Sequence, residues 1–295
     1  MRTRPDRVAE AVSRLVDPHV DIWSGVVAGA VLVALWALEA SAPLISPPRP
    51  WIGQRWRHLV LGGLNVLVSA AVVAPLVVGD AASAAIGSGV LRWLEGPVWA
   101  EFVAALLLLD LWHYGSHVVA HHVPGLWRFH AVHHNADRLE ATVAMRFHTL
   151  EIAWMGLTTV PFALVMGIGI EQVAAYNLVL VPASMFHHAN ISLPAGLERL
   201  IGAVVVTPRI HRVHHSRWTP ETNSNYGAVL PVWDRLFGTY RTRANAEAIS
   251  VGLDGYEERE IREVTGMLLA PFGASVSGYG EGPGKEKPRA CARGS

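Results

Sequence analysis

The chain has 295 residues, 51% of them hydrophobic and only 16% charged, with Lys+Arg and Asp+Glu balanced at 24 each and a mean hydropathy of +0.29. Ordinary soluble domains carry about 25% charged residues, so that class is excluded, and with no net charge there is no basic footprint for nucleic acid. The one cysteine, Cys291, rules out a disulfide framework and a cysteine-based metal site, leaving an integral membrane protein as the class.

Residues 1–21 are polar and mixed in charge, without the apolar run and cleavage site of a signal peptide. Residues 22–97 read as N-terminal membrane helices with an interfacial segment. A first span runs from Ile22 to about Pro43, with Glu39 near its end at the interface, and a second from about Leu59 to Val78. Each is long enough to cross about 30 Å of hydrocarbon as a helix. The Gly/Ala-rich stretch 80–97 reads as interfacial. A third apolar segment, VWAEFVAALLLLDLW, leads from Val98 into His113, and residues 117–148 are too rich in His and Arg to cross.

Two further apolar segments, Leu150–Ile170 and Val173–Phe186, are broken by MGIGIEQ, which makes a hairpin. A hairpin returns the chain to the face it left, so His148 at its entrance and His187 and His188 at its exit share one side with His113 and His117. From about Arg243 the chain becomes charged and then Gly/Pro-rich, a composition expected to be disordered. Four units result: 1–21, 22–97, a histidine-rich unit at 98–242, and a tail at 243–295. The fold class expected is all-α, a multi-pass membrane bundle with a cytoplasmic, histidine-rich helical cap. Arg128, Arg138, Arg146, Arg209, Arg212 and Arg217 place that face in the cytoplasm by the positive-inside rule. Arg and Ala enrichment, with Lys only at Lys285 and Lys287, suggests a GC-rich bacterial genome and hence the bacterial inner membrane.

Fifteen histidines lie in the chain, most between His113 and His215, and the pattern His-x-x-His-His occurs twice, as HAVHH (130–134) and HRVHH (211–215). Helical residues three and four apart share a face. Thus His113 and His117 form an i,i+4 pair, and His130, His133, His134 and His211, His214, His215 form triplets. Neutral imidazole is the commonest metal ligand, and about ten candidates suffice for two ions, each with an open position. His121 and His122 continue the row from His117 and are read as facing the headgroups, with ligation as the alternative. His19 and His58 read as surface or interfacial residues.

The stretches LLLLDLWHYGSH (106–117), LWRFHAVHHN, RFHTLE, FHHANISLP, TPRIHRVHHS, ETNSNYG and WDRLFGTY together resemble the fatty acid hydroxylase/sterol desaturase superfamily of membrane non-haem di-iron enzymes over about residues 98–241. The resemblance implies two iron ions held by His113 and His117, by His130, His133 and His134, and by His211, His214 and His215. It adds His188, from the family's Phe-x-His-x-Asn stretch, and His148, where Thr149 stands in place of a usual proline. Metal-bound imidazoles donate their second N–H to a carboxylate, carbonyl or water, and Asp110, Glu151, Asn190, Asn225 and Asp234 are candidates for that support.

Such a centre suits the unactivated C–H bonds of lipids, which no side-chain acid, base or nucleophile breaks. The function implied is O2-dependent hydroxylation or desaturation of a fatty acyl chain, sterol or related isoprenoid. Hydroxylation is favoured because it needs one hydrogen abstraction. The chain has no GxGxxG fingerprint, cysteine cluster or haem motif, so an external donor, a ferredoxin or a cytochrome with its reductase, is implied. Arg212 and Arg217 read as a solvated or headgroup-facing pair, with an acidic partner as the alternative. The rival functions are a zinc-dependent lipid hydrolase or isomerase, for which no HExxH motif exists, and a non-catalytic metal-binding membrane protein. Zinc remains possible as a substituted metal.

Overall fold

A computed structural model of the chain describes residues 18–46, 52–86, 88–93, 97–256 and 258–273. The readings for 1–17 and 274–295 lie outside the described residues. In chain order the helices are α1 (Pro18–Ser41), α2 (Ile52–Ile86), α3 (Val90–Trp93), α4 (Val98–His122), α5 (Pro124–His134), α6 (Thr149–Met166), α7 (Ile170–His188), α8 (Ala195–Val204), α9 (Pro208–His214), α10 (Thr219–Thr222), α11 (Val232–Phe237), α12 (Glu258–Arg262) and α13 (Val264–Leu269). Among the described residues the only extended pairings are two isolated bridges, Pro43 with Ile191 and Ser216 with Val251.

Among the described residues three stretches are long and apolar enough to cross a membrane: Gly53–Leu76 within α2, Val98–His122 and Thr149–Met166. A helix satisfies every backbone N–H and C=O internally, which hydrocarbon demands. Their outward side chains are apolar; Val66, Leu67 and Leu157 are 65–69% exposed, a surface suited to lipid. The chain is an all-α integral membrane protein.

Two boundaries differ from the hydropathy reading. Helix α2 does not stop near Val78 but continues to Ile86, because the Ala-rich stretch that follows is a good helix former. Helix α4 runs past His113 to His122 and ends only where Val123, in extended conformation, precedes Pro124, a residue that excludes α geometry before it.

The expected hairpin is formed by α6 and α7. It turns at Gly167 (φ 76°), whose N–H caps α6. Gly89 packs so tightly on this turn that a Cβ there would lie 2.4 Å from the Gly167 Cα. Helix α2 lies along α6 through small residues: a Cβ at Gly156 would meet Val72 Cγ1 at 2.7 Å, the close approach that substitutes for hydrophobic drive in membranes.

The spanning helices share an apolar core of Leu76, Leu109, Ala163, Ile168 and Tyr176. Helix α1 is tied to the cap by Glu39, which is buried rather than interfacial. Its Oε1 accepts from the Ala141 and Asn190 N–H groups (2.8 and 3.0 Å) and its Oε2 from Arg55 at 2.7 Å. The described part of the 243–295 segment is folded. Ala246, Ile249 and Val251 pack on Leu139, Val143 and Val213, and Met267 and Ala270 pack on Leu61 and Val132. Its buried apolar residues face the cap, whereas Leu269 and Phe272 are exposed.

Candidate metal centre

At the end of the bundle nine histidines converge in two groups able to hold a metal ion: His117, His121, His130, His134 and His214 in one, and His133, His188, His211 and His215 in the other, the ligand atoms of each group lying within 4.8 Å of one another. All but His117 are buried. Each His-x-x-His-His motif serves both groups. From α5, the i,i+4 pair His130 and His134 joins the first group and His133 the second. From α9 and its C-cap, the pair His211 and His215 joins the second and His214 the first. The i+3 imidazole is rotated away from its i,i+4 neighbours, so two such helix ends facing each other build two adjacent sites.

The protonation pattern fits a cation. A carbonyl only accepts, so a ring nitrogen bonded to one carries the proton. His117 Nδ1 donates to Tyr226 O (2.9 Å) and His214 Nδ1 to Ser224 O (2.7 Å). His130 Nδ1 donates to Glu151 Oε1 (2.6 Å) and His121 Nδ1 to Asn223 Oδ1 (3.3 Å). A neutral ring so bonded leaves a bare lone pair on Nε2. Yet His117 Nε2 and His130 Nε2 face each other at 3.1 Å, and the His121 and His214 Nε2 atoms are buried without any partner.

In the second group His188 donates Nδ1–H to Ser184 O (2.7 Å), while its bare Nε2 lies 3.0 Å from both His133 Nε2 and His211 Nε2. Lone pairs facing each other, as on neutral His117 and His130, repel unless a cation lies between them. Two imidazoles bound at about 2.1 Å and at right angles to each other sit about 3.0 Å apart. Burial, reinforced by neighbouring imidazoles, drives His133, His134, His211 and His215 well below the usual imidazole range and His214 to about 3. They are therefore neutral, the form that binds metal.

Of the ten histidines expected as ligands, eight enter the two groups and two do not. His113 is held one helical turn below, its Nδ1 donating to Leu109 O at 3.0 Å. His148 is the N-cap of α6: Nδ1 accepts from Leu150 N–H (3.1 Å) and Nε2 donates to Leu268 O (3.1 Å), so neither nitrogen is free. His121 completes the first group instead. The signal for it was present in the row His113–His117–His121, which has equal spacing throughout. His122 faces outward, bonded to Val118 O. His187 is buried against His188 and His211, at ring distances of 4.6 and 4.1 Å, but belongs to neither group.

A cavity of about 310 Å³ leads from the histidines into the spanning helices. Its inner end is lined by His117, His130, His133, His188 and His211. Its length is lined by Ser69 and Val73 of α2, Leu109 and His113 of α4, Met155 and Thr159 of α6, and Val173, Tyr176 and Leu180 of α7.

Residues 102–239 match the family model described as fatty acid hydroxylase. The chain is 30% identical to ornithine lipid hydroxylase OlsE of Rhizobium tropici over 72% of its own length and 63% of that protein's. It is 31% identical to human alkylglycerol monooxygenase over 51% of its length and 32% of the relative's. Human cholesterol 25-hydroxylase matches at 28% identity over 46% of the chain and 50% of that protein. Over residues 102–239 the chain is similar to the fatty acid hydroxylase family, and these relatives are lipid hydroxylases and monooxygenases by name. It spans less than two thirds of the length of these curated relatives, and no solved structure matches it significantly.

Within the hydroxylase domain, the other polar residues expected near the centre act mainly through the backbone; only Glu151 touches a ligand ring. Asp110, buried in α4, accepts from Tyr176 OH and Trp233 Nε1 (both 2.8 Å) and from the Val229 and Leu230 N–H groups (both 3.2 Å). Asp234 accepts from the Tyr226 and Gly227 N–H groups, both at 2.8 Å. Asn225, at φ 53°, bonds Ile210 O and Arg241 O, each at 2.9 Å. Together they fix the loop whose Ser224 and Tyr226 carbonyls hold His214 and His117. Asn190 instead pairs with Ile45, fastening the end of α7. Arg212 and Arg217 are committed to the C-terminal strap, Arg212 to Ala246 O and Ile249 O, Arg217 to Val251 O and Asp254.

Proposed function

We propose that the chain is a membrane-bound oxygenase that hydroxylates a lipid, with two iron ions held by the two histidine groups, the site facing the cytoplasm of a bacterial inner membrane. The observation that carries this reading is the pair of buried, neutral histidine groups at the inner end of an apolar cavity, in a chain whose relatives carry the names of lipid hydroxylases and monooxygenases. Iron, when bound, supplies reductive activation of O2: the lipid C–H becomes C–OH, the second oxygen leaves as water, and two electrons and two protons are consumed.

The chain's own residues contribute the rest. Tyr226 O, Ser224 O, Glu151 and Ser184 O fix the tautomers of four ligands, which raises their basicity. Leu109, Met155, Val173 and Leu180 exclude water from the carbon to be oxidised. Glu151, with Oε1 on His130 and Oε2 buried without a partner, is a carboxylate able to hold a proton at the cavity wall. The sequence has no dinucleotide fingerprint, cysteine cluster or haem motif, and on this reading a ferredoxin, or a cytochrome with its reductase, supplies the electrons.

The test is metal content of protein purified in detergent, with Mössbauer spectra after growth on labelled iron, and a search for hydroxylated lipids in expressing cells. Two coupled irons per chain together with an oxidised lipid support the reading. Zinc alone, with no turnover restored by iron, overturns it in favour of hydrolytic or non-catalytic metal binding.

A further inference from the structure

Three histidines stand on one face of α4, at 113, 117 and 121, and only the last two enter a metal group. His113 lies four residues below His117, about 6 Å along the helix. Its Nδ1–H is spent on Leu109 O at 3.0 Å, which leaves Nε2 as a bare acceptor without a hydrogen bond among the described residues. The ring is half-buried and forms part of the cavity wall. The ring packed beside it offers no donor. Tyr176, whose ring is 5.1 Å away, gives its hydroxyl proton to Asp110 Oδ1 at 2.8 Å, and Leu109 and Val173 are apolar.

An acceptor fixed in orientation, facing an apolar cavity and lacking a donor, is arranged for a donor that arrives with the ligand. We infer that His113 is a specificity residue: its Nε2 accepts a hydrogen bond from an O–H or N–H group of the lipid, one helical turn from the metal-ligating end of the cavity. The inference rests on the lipid-oxygenase reading and narrows it. The lipid carries a hydroxyl or a secondary amide within a few carbons of the position oxidised, and lipids whose polar atoms only accept are disfavoured because they leave the imidazole unpaired.

The test uses two matched pairs of probes that differ in one proton: N-methylpalmitamide against N,N-dimethylpalmitamide, and hexadecanol against its methyl ether. Affinities are measured by equilibrium dialysis against the full chain in detergent, with metal content determined on the same samples. Wild-type protein binds the donor of each pair about five- to tenfold more tightly, the effect of one hydrogen bond. His113→Phe loses the preference while retaining wild-type metal content, and His113→Gln, which keeps an acceptor, retains part of it.

Equal wild-type affinity within both pairs overturns the inference, as does a preference that survives His113→Phe. Loss of metal in His113→Phe also overturns it, by making His113 a ligand. Should cells oxidise no lipid while the donor preference holds, the oxygenase reading falls and the binding role of His113 stands. Lipid oxidation without donor preference has the opposite meaning.

Discussion

In the first histidine group four of the five imidazoles hand their Nδ1 protons to fixed acceptors, Tyr226 O, Asn223 Oδ1, Glu151 and Ser224 O. In the second only His188 does so, to Ser184 O, and the Nδ1 atoms of His133, His211 and His215 are buried without partners. Packing positions these rings instead: Phe147 stacks on His133 at 4.2 Å and His134 on His215 at 4.4 Å. The same motif, used twice, thus yields one site oriented by hydrogen bonds and one oriented by ring contacts. Hydrogen-bonded imidazoles are the more basic and better oriented ligands, so the first group is expected to retain its ion longer.

The strongest way to break the comparison is to remove a ligand from each side. His214→Ala and His133→Ala are each expected to lose one metal equivalent and more than about 100-fold of activity, with membrane insertion intact. Normal activity in both variants defeats the metal assignment. A finer cut is Glu151→Gln, which takes the charged acceptor from His130 alone. Metal affinity should fall about 10- to 100-fold in one of two phases of a chelator titration, and that phase should be the slower one in wild-type protein. A fall in both phases ends the distinction.

Acidification should treat the groups alike. The folded His214 stays neutral to about 3, whereas its unfolded imidazole takes up a proton below about 6.5. The unfolded state therefore binds more protons in this window, and stability falls as pH falls. Between pH 6.5 and 5 the metal-free chain should lose about 2 kcal/mol through His214 alone, visible as a falling melting temperature in detergent. A flat profile contradicts the buried, neutral site. The smallest effect is expected at Gly156, where alanine must displace Val72. Gly156→Ala should cost about 1 kcal/mol, the low end for a single added methyl, in thermal unfolding and leave both metal phases unchanged.

Much of this was legible in the residues. The doubled His-x-x-His-His, read with helical geometry, placed His130, His133, His134, His211, His214 and His215 together, and the apolar hairpin brought His188 to the same face. The choice between His113 and His121 was not legible. The row of three has identical spacing throughout, and which two face α5 and α9 depends on how far α4 projects beyond the bundle, a tertiary quantity. His148 carries the right residue type, but its position at the start of α6 makes it a cap. The strap at 246–273 was hidden because its few apolar residues are scattered among charges and form no period of their own.

The ligands of either group come from segments far apart in the chain: α4, α5 and α9 for the first, α5, α7 and α9 with its C-cap for the second. Neither can be complete before His214 or His215 has been made and the α6–α7 hairpin has formed. On the proposed reading insertion therefore precedes metallation, and the nine imidazoles are gathered at the end of the bundle before an ion joins them. On the proposed iron-bound reading, the delivery of metal is a step in maturation, separable in time from folding and open to control by whatever limits iron in the cell.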